Sequence, residues 1–332
     1  MKLAELGEFG LIERIRQAGD ASTAIVGIGD DCAAVEVPPG ASLLTSTDLL
    51  IEDVHFRSTW TDYYDLGCKA VAVNVSDVAA MGGNPQAIFL GLGAPSEMSV
   101  EELEQLLSGV RDEARRYGAE LLGGDTCRSS GGLMLGVTVQ GYAPAEQLVR
   151  RSGAEVGDQI WVSGCLGDSA LALRYLQRDE KPPEALARRH HRPEARVTLG
   201  RALAQSRLAK AMIDVSDGLL ADLGHVLRAS RLGGEVAVER LPLSQKFNEH
   251  VQQQPQDLEL ALRGGEDYEL LFCSAAGRAA ELLALAAQID VPLTPIGRIR
   301  QAPGLDVSGL EEAGVTLVAQ GFDHFSAPCG RT

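Results

Sequence analysis

The chain of 332 residues is poor in aromatic side chains, at 5% of the sequence, and poor in basic ones, with 30 Lys and Arg against 46 Asp and Glu. The first shortage removes the stacking platforms that single-stranded nucleic acid needs. The second leaves a formal net charge of -16, which opposes attraction to phosphate backbones and to anionic membrane surfaces. No apolar run approaches the ~18 residues expected of a membrane helix. The opening stretch MKLAELGEFGLIERIRQAGD carries glutamates within its apolar segments, unlike a secretory signal. Cys32, Cys68, Cys127, Cys165, Cys273 and Cys329 form neither a C-x-x-C pair nor a zinc-like spacing. A reduced, cytoplasmic protein with no nucleic-acid or membrane partner is expected. Familiar phosphate machinery is missing too: there is no P-loop, and GIGDDC lacks the last glycine of a dinucleotide-binding turn.

What is present is an alternation of short β-like runs, glycine and helical patterns, which predicts an α/β (α+β) protein. The length favours two domains. The polar stretch APAEQLVRRSGAEVG places their boundary near residue 148, giving domains over 1–148 and 149–332. SVEELEQLLSGVRDEARRYG reads as a helix: Ser99 and Glu102 make a capping box, and Leu103, Leu106, Leu107, Val110 and Ala114 share one face. That face is expected to pack on a sheet. Strands are expected at SLLTSTD, QAIFLGLG and GLMLGVTVQGYA, then at DQIWVSG, KAMIDVSDG, GEVAVE, YELLFCS and LTPIGRI. QRDEKPPEALARRHHRPEAR reads as a polar surface connection, and Cys32 as a small buried hydrophobe.

One device recurs: an apolar or small run, often a hydroxyl residue, then an aspartate at a strand edge. It appears at Asp30 and Asp31, at Asp48, at Asp77, at Asp125, and at Asp214 with Asp217. A single such aspartate has an ordinary reading as a helix cap or a turn residue. Five sites with one grammar favour convergence on one cleft. Carboxylates with hydroxyls are hard oxygen donors, and surroundings without a histidine or cysteine cluster disfavour zinc and copper, so the set reads as a magnesium site for phosphate chemistry.

GIGDDCA, TSTDLLIEDVHF, KAVAVNVSDVAAMGGNP, LLGGDT, RSGAEVGD, IDVSDGLLADLGH, GGEDYELLF and GFDHF, in this order along nearly the whole chain, strongly resemble the thiamine-monophosphate kinase family, relatives of aminoimidazole ribonucleotide synthetase and selenophosphate synthetase. The resemblance implies a two-domain synthetase-like ATP-binding fold. Its N-terminal mixed sheet would pair across a homodimer, and a C-terminal α/β domain would complete a cleft between the domains. It further implies ATP-dependent, magnesium-dependent conversion of thiamine phosphate to thiamine diphosphate, with several Mg²⁺ ions. Carried over motif by motif, it implies Asp31, Ser46, Thr47, Asp48, Asp77, Asp125, Asp214 and Asp217 as metal ligands, with Asp30 orienting them. Gly124, Asp125, Arg151 and Ser216 would contact ATP, and His55, Glu266 and Phe322 thiamine phosphate. Phe322 would offer its π face to the cationic thiazolium.

The acceptor in that reaction is a phosphate oxygen whose second pKa lies near 6, so it needs no general base. No side chain is therefore assigned as base or nucleophile, and direct transfer without a phosphoenzyme is expected. Three other readings stay open on the residues: a selenophosphate synthetase-like enzyme, a metal-dependent phosphohydrolase, and a metal or nucleotide sensor. Residues 1–26 lack the reactive cysteine in a glycine-rich segment that the first would call for.

Overall fold

The computed structural model describes residues 32–311 without interruption, together with residues 2, 13, 14, 24–26, 28, 313 and 315. The described chain divides into two units. One comprises the residues up to Val149 with His191–Arg207, the other Arg150–His190 with the residues from Leu208 onward.

The first unit runs β1 (Ala41–Ile51), α1 (Tyr63–Ala80), β2 (Asn84–Pro95), α2 (Val100–Arg116), β3 (Glu120–Ser129) and β4 (Met134–Pro144). Its sheet has the order β1-β4-β2-β3, antiparallel except for the parallel β2–β3 pair that α2 connects. The α1 helix starts where the Asp62 carboxylate accepts the Asp65 N–H at 2.7 Å. It is buried along most of its length, from Leu66 to Ala80. Its VAVNVSD run, expected to end at a strand edge, is therefore helix interior. A short apolar run does not distinguish a strand from a buried helix, and here the length of the element decides.

The capping box on α2 forms as expected: Ser99 Oγ accepts the Glu102 N–H at 3.1 Å, and the Glu102 carboxylate accepts the Ser99 N–H at 2.8 Å. Leu103, Leu106, Leu107, Val110 and Ala114 are all buried. They pack chiefly against α1 and only secondarily against β3, a correction to the expected sheet contact. The reason is glycine. A Cβ on Gly67 would lie 2.1 Å from Leu106 O, and one on Gly109 would lie 2.0 Å from Tyr64 O, so the two backbones touch directly.

The second unit carries β5 (Gln159–Ser163), β6 (Ala211–Asp214), β7 (Gly233–Ala237), β8 (Leu270–Ser274), β9 (Leu293–Arg300) and β10 (Gly304–Ser308), in the order β10-β7-β9-β5-β8-β6. Its helices include α3 (Asp168–Gln177) and α4 (Glu184–His191); α5 (Val197–Gln205) belongs to the first unit; α6 (Leu219–Ser230) follows in the second. The expected surface connection thus contains α4, in which Leu186 is 1% and His190 4% exposed. Each unit has its own core. Ile88, Leu106 and Val139 anchor the first, joined by Ala195 and Val197 from the 191–207 segment; Ile160, Phe247 and Leu271 anchor the second. Cys32 is exposed, contrary to expectation; among the described residues its neighbourhood lies outside both sheets and carries the isolated Val26–Ala34 bridge.

Gly109→Ala should lower the unfolding free energy by about 3 kcal/mol, the upper end of overpacking costs, because backbone and not a side-chain tip must move. Urea denaturation followed by circular dichroism measures it. A loss within 0.5 kcal/mol of zero (roughly the scatter of neutral surface changes) would show that the α1–α2 contact tolerates a methyl group.

Candidate functional site

In the first unit, β1 and α1 bring three of the candidate ligands together. Ser46 Oγ donates to Asp77 Oδ2 at 2.5 Å, joining the strand to the last turn of the helix. One helical turn earlier the fully buried Asn74 uses Oδ1 to accept the Asp48 N–H at 3.0 Å, and its Nδ2 donates to Ala70 O at 2.9 Å. Asn74 and Asp77, three residues apart, share the helix face turned to β1. Thr47 is engaged with β4: its hydroxyl donates to Val137 O and accepts from Thr138, each at 3.0 Å. A helix-cap role for Asp77 falls away, since the residue lies inside α1 and Asp62 is the cap.

Asp125 is exposed on β3, the opposite edge of the same sheet. Asp48 faces Val137 across the β1–β4 pair, Val137 faces Leu90, and Leu90 faces Gly124. The strands of Asp48 and Asp125 thus stand three spacings apart, about 14 Å, with Gly124 in register with Asp48, and Asp125, one residue on, in register with Leu49. Gly124, at φ +150°, has a structural reason of its own: a Cβ there would lie 1.9 Å from Leu90 O.

In the second unit Asp214 ends β6, 3% exposed, and Asp217 follows in an exposed turn. Asp217 does not cap α6. The cap residue is Gly218, and the N–H groups of Ser216, Asp217 and Gly218 all donate to Asp222 Oδ2 at 3.1 Å. Burial, then the charges of Asp214 and Asp217, push the Asp222 carboxyl up to about 7. Arg151 is exposed and lies, with Asp217, within electrostatic reach of His225. Burial and the charges of Arg228 and Arg151 lower that imidazole's pKa, and Asp217 opposes them.

Glu266 sits in a strained stretch, at φ +66°, with Tyr268 at φ +50°. Its N–H donates to Ser216 O at 2.8 Å, which holds the GGEDYEL segment against the Ser216–Asp217 turn. A Cβ on the neighbouring Gly265 would lie 2.3 Å from Ser216 O, so this approach requires glycine. His55 Nδ1 accepts the Ile51 N–H at 3.1 Å, which leaves the ring proton of the neutral imidazole on Nε2. Asp30, Asp31 and Phe322 lie outside the described residues.

Among the described residues no three His, Cys, Asp or Glu side chains are grouped to hold a metal ion. The donor chemistry nonetheless suits Mg²⁺, which takes one or two carboxylates and shares its remaining positions with phosphates and water. Asp214 and Asp217 add negative charge beside the buried Asp222, a setting in which a nearby cation is electrostatically favoured. Sequence reasoning missed Asn74 and Asp222, as well as Arg189, His190 and the buried Asp267. Asn74 had a signal, a lone amide inside an apolar helical run. Asp222 had a weaker one, an acid four residues after Gly218 in the first turn of a helix.

Residues 29–143 match the family described as AIR synthase related protein, N-terminal domain, and residues 155–309 match AIR synthase related protein, C-terminal domain. The chain is 39% identical over 333 residues to the thiamine-monophosphate kinase of Escherichia coli, covering 97% of this chain and 99% of that one. Among solved structures, thiamine-monophosphate kinase from Stenotrophomonas maltophilia is 41% identical with a TM-score of 0.82, over 90% of this chain and 96% of that chain. AaThiL complexed with AMPPCP and TMP is 35% identical with a TM-score of 0.77, over 98% and 99%.

Asp222→Ala deprives three N–H groups of their acceptor and should cost about 3 kcal/mol in metal-free buffer, whereas Asp222→Asn, which keeps an oxygen there and removes a charge, should cost about 1 kcal/mol or less. Urea unfolding of both variants checks the order. Equal losses would show that the turn does not depend on this oxygen.

Proposed function

The chain belongs to the thiamine-monophosphate kinase family, and from that premise we propose that it transfers the γ-phosphoryl group of ATP to thiamine phosphate, giving ADP and thiamine diphosphate. One observation carries the reading: the likeness is full-length, and it extends to a solved relative that holds an ATP analogue together with TMP.

The two reactants are polyanions, and each pair of unit charges about 4 Å apart repels by roughly 4 kcal/mol at an effective dielectric near 20. Repulsion, rather than proton removal, is the obstacle. We assign Asp31, Ser46, Thr47, Asp48, Asp77, Asp125, Asp214 and Asp217 as the oxygen donors that hold Mg²⁺. Bound there, Mg²⁺ would neutralise phosphate charge and polarise the transferring group. The roughly 14 Å between the strands of Asp48 and Asp125 suits several ions better than one. Asn74 and Ser46 serve by fixing the strand and helix positions from which Asp48 and Asp77 act. Gly124, Arg151 and Ser216 are assigned to ATP, and His55, Glu266 and Phe322 to thiamine phosphate, with His55 offering a donor from Nε2. The chain's task is to align donor and acceptor for direct in-line transfer, without general base or covalent intermediate.

We further propose a homodimer built on the open face of the first unit's sheet. Leu49 is 58%, Leu43 48% and Met134 41% exposed, and all three lie on the strand positions that alternate with those turned to α1. Among the described residues no helix is long and apolar enough to cross a membrane. A cytoplasmic location suits the ATP co-substrate and the unpaired Cys32, Cys68, Cys127, Cys165 and Cys273.

In an assay with ATP, Mg²⁺ and thiamine phosphate, Asp48→Ala, Asp77→Ala and Asp217→Ala should each fold and lose about a hundredfold or more in kcat. Wild-type rates at saturating Mg²⁺ in all three would overturn the assignment. Leu43→Glu combined with Leu49→Glu should convert a dimer to a monomer by light scattering; an unchanged mass would place the interface elsewhere.

A further inference from the structure

The RRHH segment, which the sequence presents as a surface linker, ends α4 beside the Glu266 stretch. Two consecutive side chains grip that stretch at alternating points. Arg189 Nη2 donates to Glu269 Oε1 at 2.5 Å and to Asp267 O at 3.5 Å. The far oxygen of Glu269 accepts from Ser163 Oγ at 2.5 Å, so this fully buried carboxylate is satisfied on both sides. His190, 4% exposed, places Nδ1 at 2.9 Å from Ser169 Oγ and 3.3 Å from Glu266 Oε2. A carboxylate only accepts hydrogen bonds, so in the tautomer with its proton on Nδ1 the ring can donate toward Glu266, with Ser169 Oγ as the second neighbour of that nitrogen.

The strain gives this contact its purpose. Glu266 and Tyr268 both hold left-handed backbone conformations that side-chain-bearing residues adopt only when their surroundings enforce them. Arg189 holds the stretch at the Asp267 carbonyl and the Glu269 carboxylate. The Glu266 carboxylate is attached to that backbone through rotatable bonds, and Glu266 is only partly buried. The imidazole of His190 supplies a fixed donor on a ring that is itself enclosed.

We propose that His190 is a positioning residue for thiamine phosphate: its Nδ1–H, seated between Ser169 and Glu266, fixes the Glu266 carboxylate in the orientation that meets the cationic thiamine moiety. The inference rests on the reading of Glu266 as a thiamine phosphate contact. His190 itself touches no substrate in this scheme. It acts through Glu266, so its effect belongs to the affinity for one substrate and not the other.

The test is a double-mutant cycle on steady-state constants with His190→Leu, His190→Asn, Glu266→Gln and the His190→Leu/Glu266→Gln pair. His190→Leu should raise the KM for thiamine phosphate about tenfold, as expected for losing a hydrogen bond to a charged group. It should leave the KM for ATP within about twofold and kcat within about threefold, margins small on the same scale. His190→Asn, whose amide nitrogen overlies Nδ1, should restore most of the affinity, and the double variant should resemble the worse single variant. A merely structural histidine would instead raise both KM values, or lower kcat, and asparagine would not rescue it. Multiplying effects of His190→Leu and Glu266→Gln would overturn the coupling while leaving Glu266 a substrate contact. An unchanged KM in Glu266→Gln would remove that reading, and this inference with it. Should His190→Leu fail to fold, His190→Gln, which keeps a donor but displaces it, takes its place in the cycle with the same criteria.

Discussion

A carboxylate withdrawn from water must find a hydrogen-bond donor or a cation, and this acidic chain withdraws many of them. The structure answers in three ways. Hydroxyls serve Asp77, Asp168 and Glu269 through Ser46, Ser244 and Ser163. Backbone N–H groups serve Asp222, which takes three, and Asp267, which takes the one from Gly167. A guanidinium serves Glu269 in addition. Asp214 and Asp217 bring further negative charge to this corner, and with burial it raises the Asp222 carboxyl.

The same constraint explains why the buried acids of the second unit are not interchangeable. Burial, aided by the charges of Glu269 and Asp168, drives the Asp267 carboxyl well above the ordinary carboxylate range, although the Gly167 N–H and Arg189 pull the other way. Its Oδ1 has no hydrogen-bond partner. A neutral carboxyl is the form that such a place accepts. It lies between Glu266, an acid partly open to solvent, and Glu269, an acid held by Arg189: three nearby carboxyls, three environments.

Much of this was legible beforehand, and the gaps have physical causes. The capping box on α2, its buried face and eight of the ten strands among the described residues could be read because local chemistry and period agree there. The β3 strand escaped notice because ELLGGDTCRS places paired glycines and an aspartate in an edge strand, against ordinary strand composition. The β10 strand escaped because GLDVS is brief and polar. The α1 helix was mistaken for a strand approach since valines dominate a segment buried on nearly every side. At the site, the aspartates were visible as a repeated pattern, but their partners were not. Asn74, Asp222, Arg189 and His190 act on residues that folding alone brings near, and α4 reads as a linker because its composition is polar, although Arg189 turns to the buried Glu269 and His190 is enclosed.

The path of the chain carries a consequence for its synthesis. Ala195 and Val197 belong to the first unit's core, yet they follow Arg150–His190, a stretch of the second unit. A nascent chain released only as far as Val149 therefore lacks part of the interior it needs. Residues 150–190 emerge meanwhile without their own sheet partners, since β5 pairs with β8 and β9 much later in the chain. The first unit's core is complete only after part of the second unit's chain has been made. The second unit's first strand and helices spend that interval as exposed apolar chain, the condition in which a chaperone or a neighbouring nascent chain finds a hold.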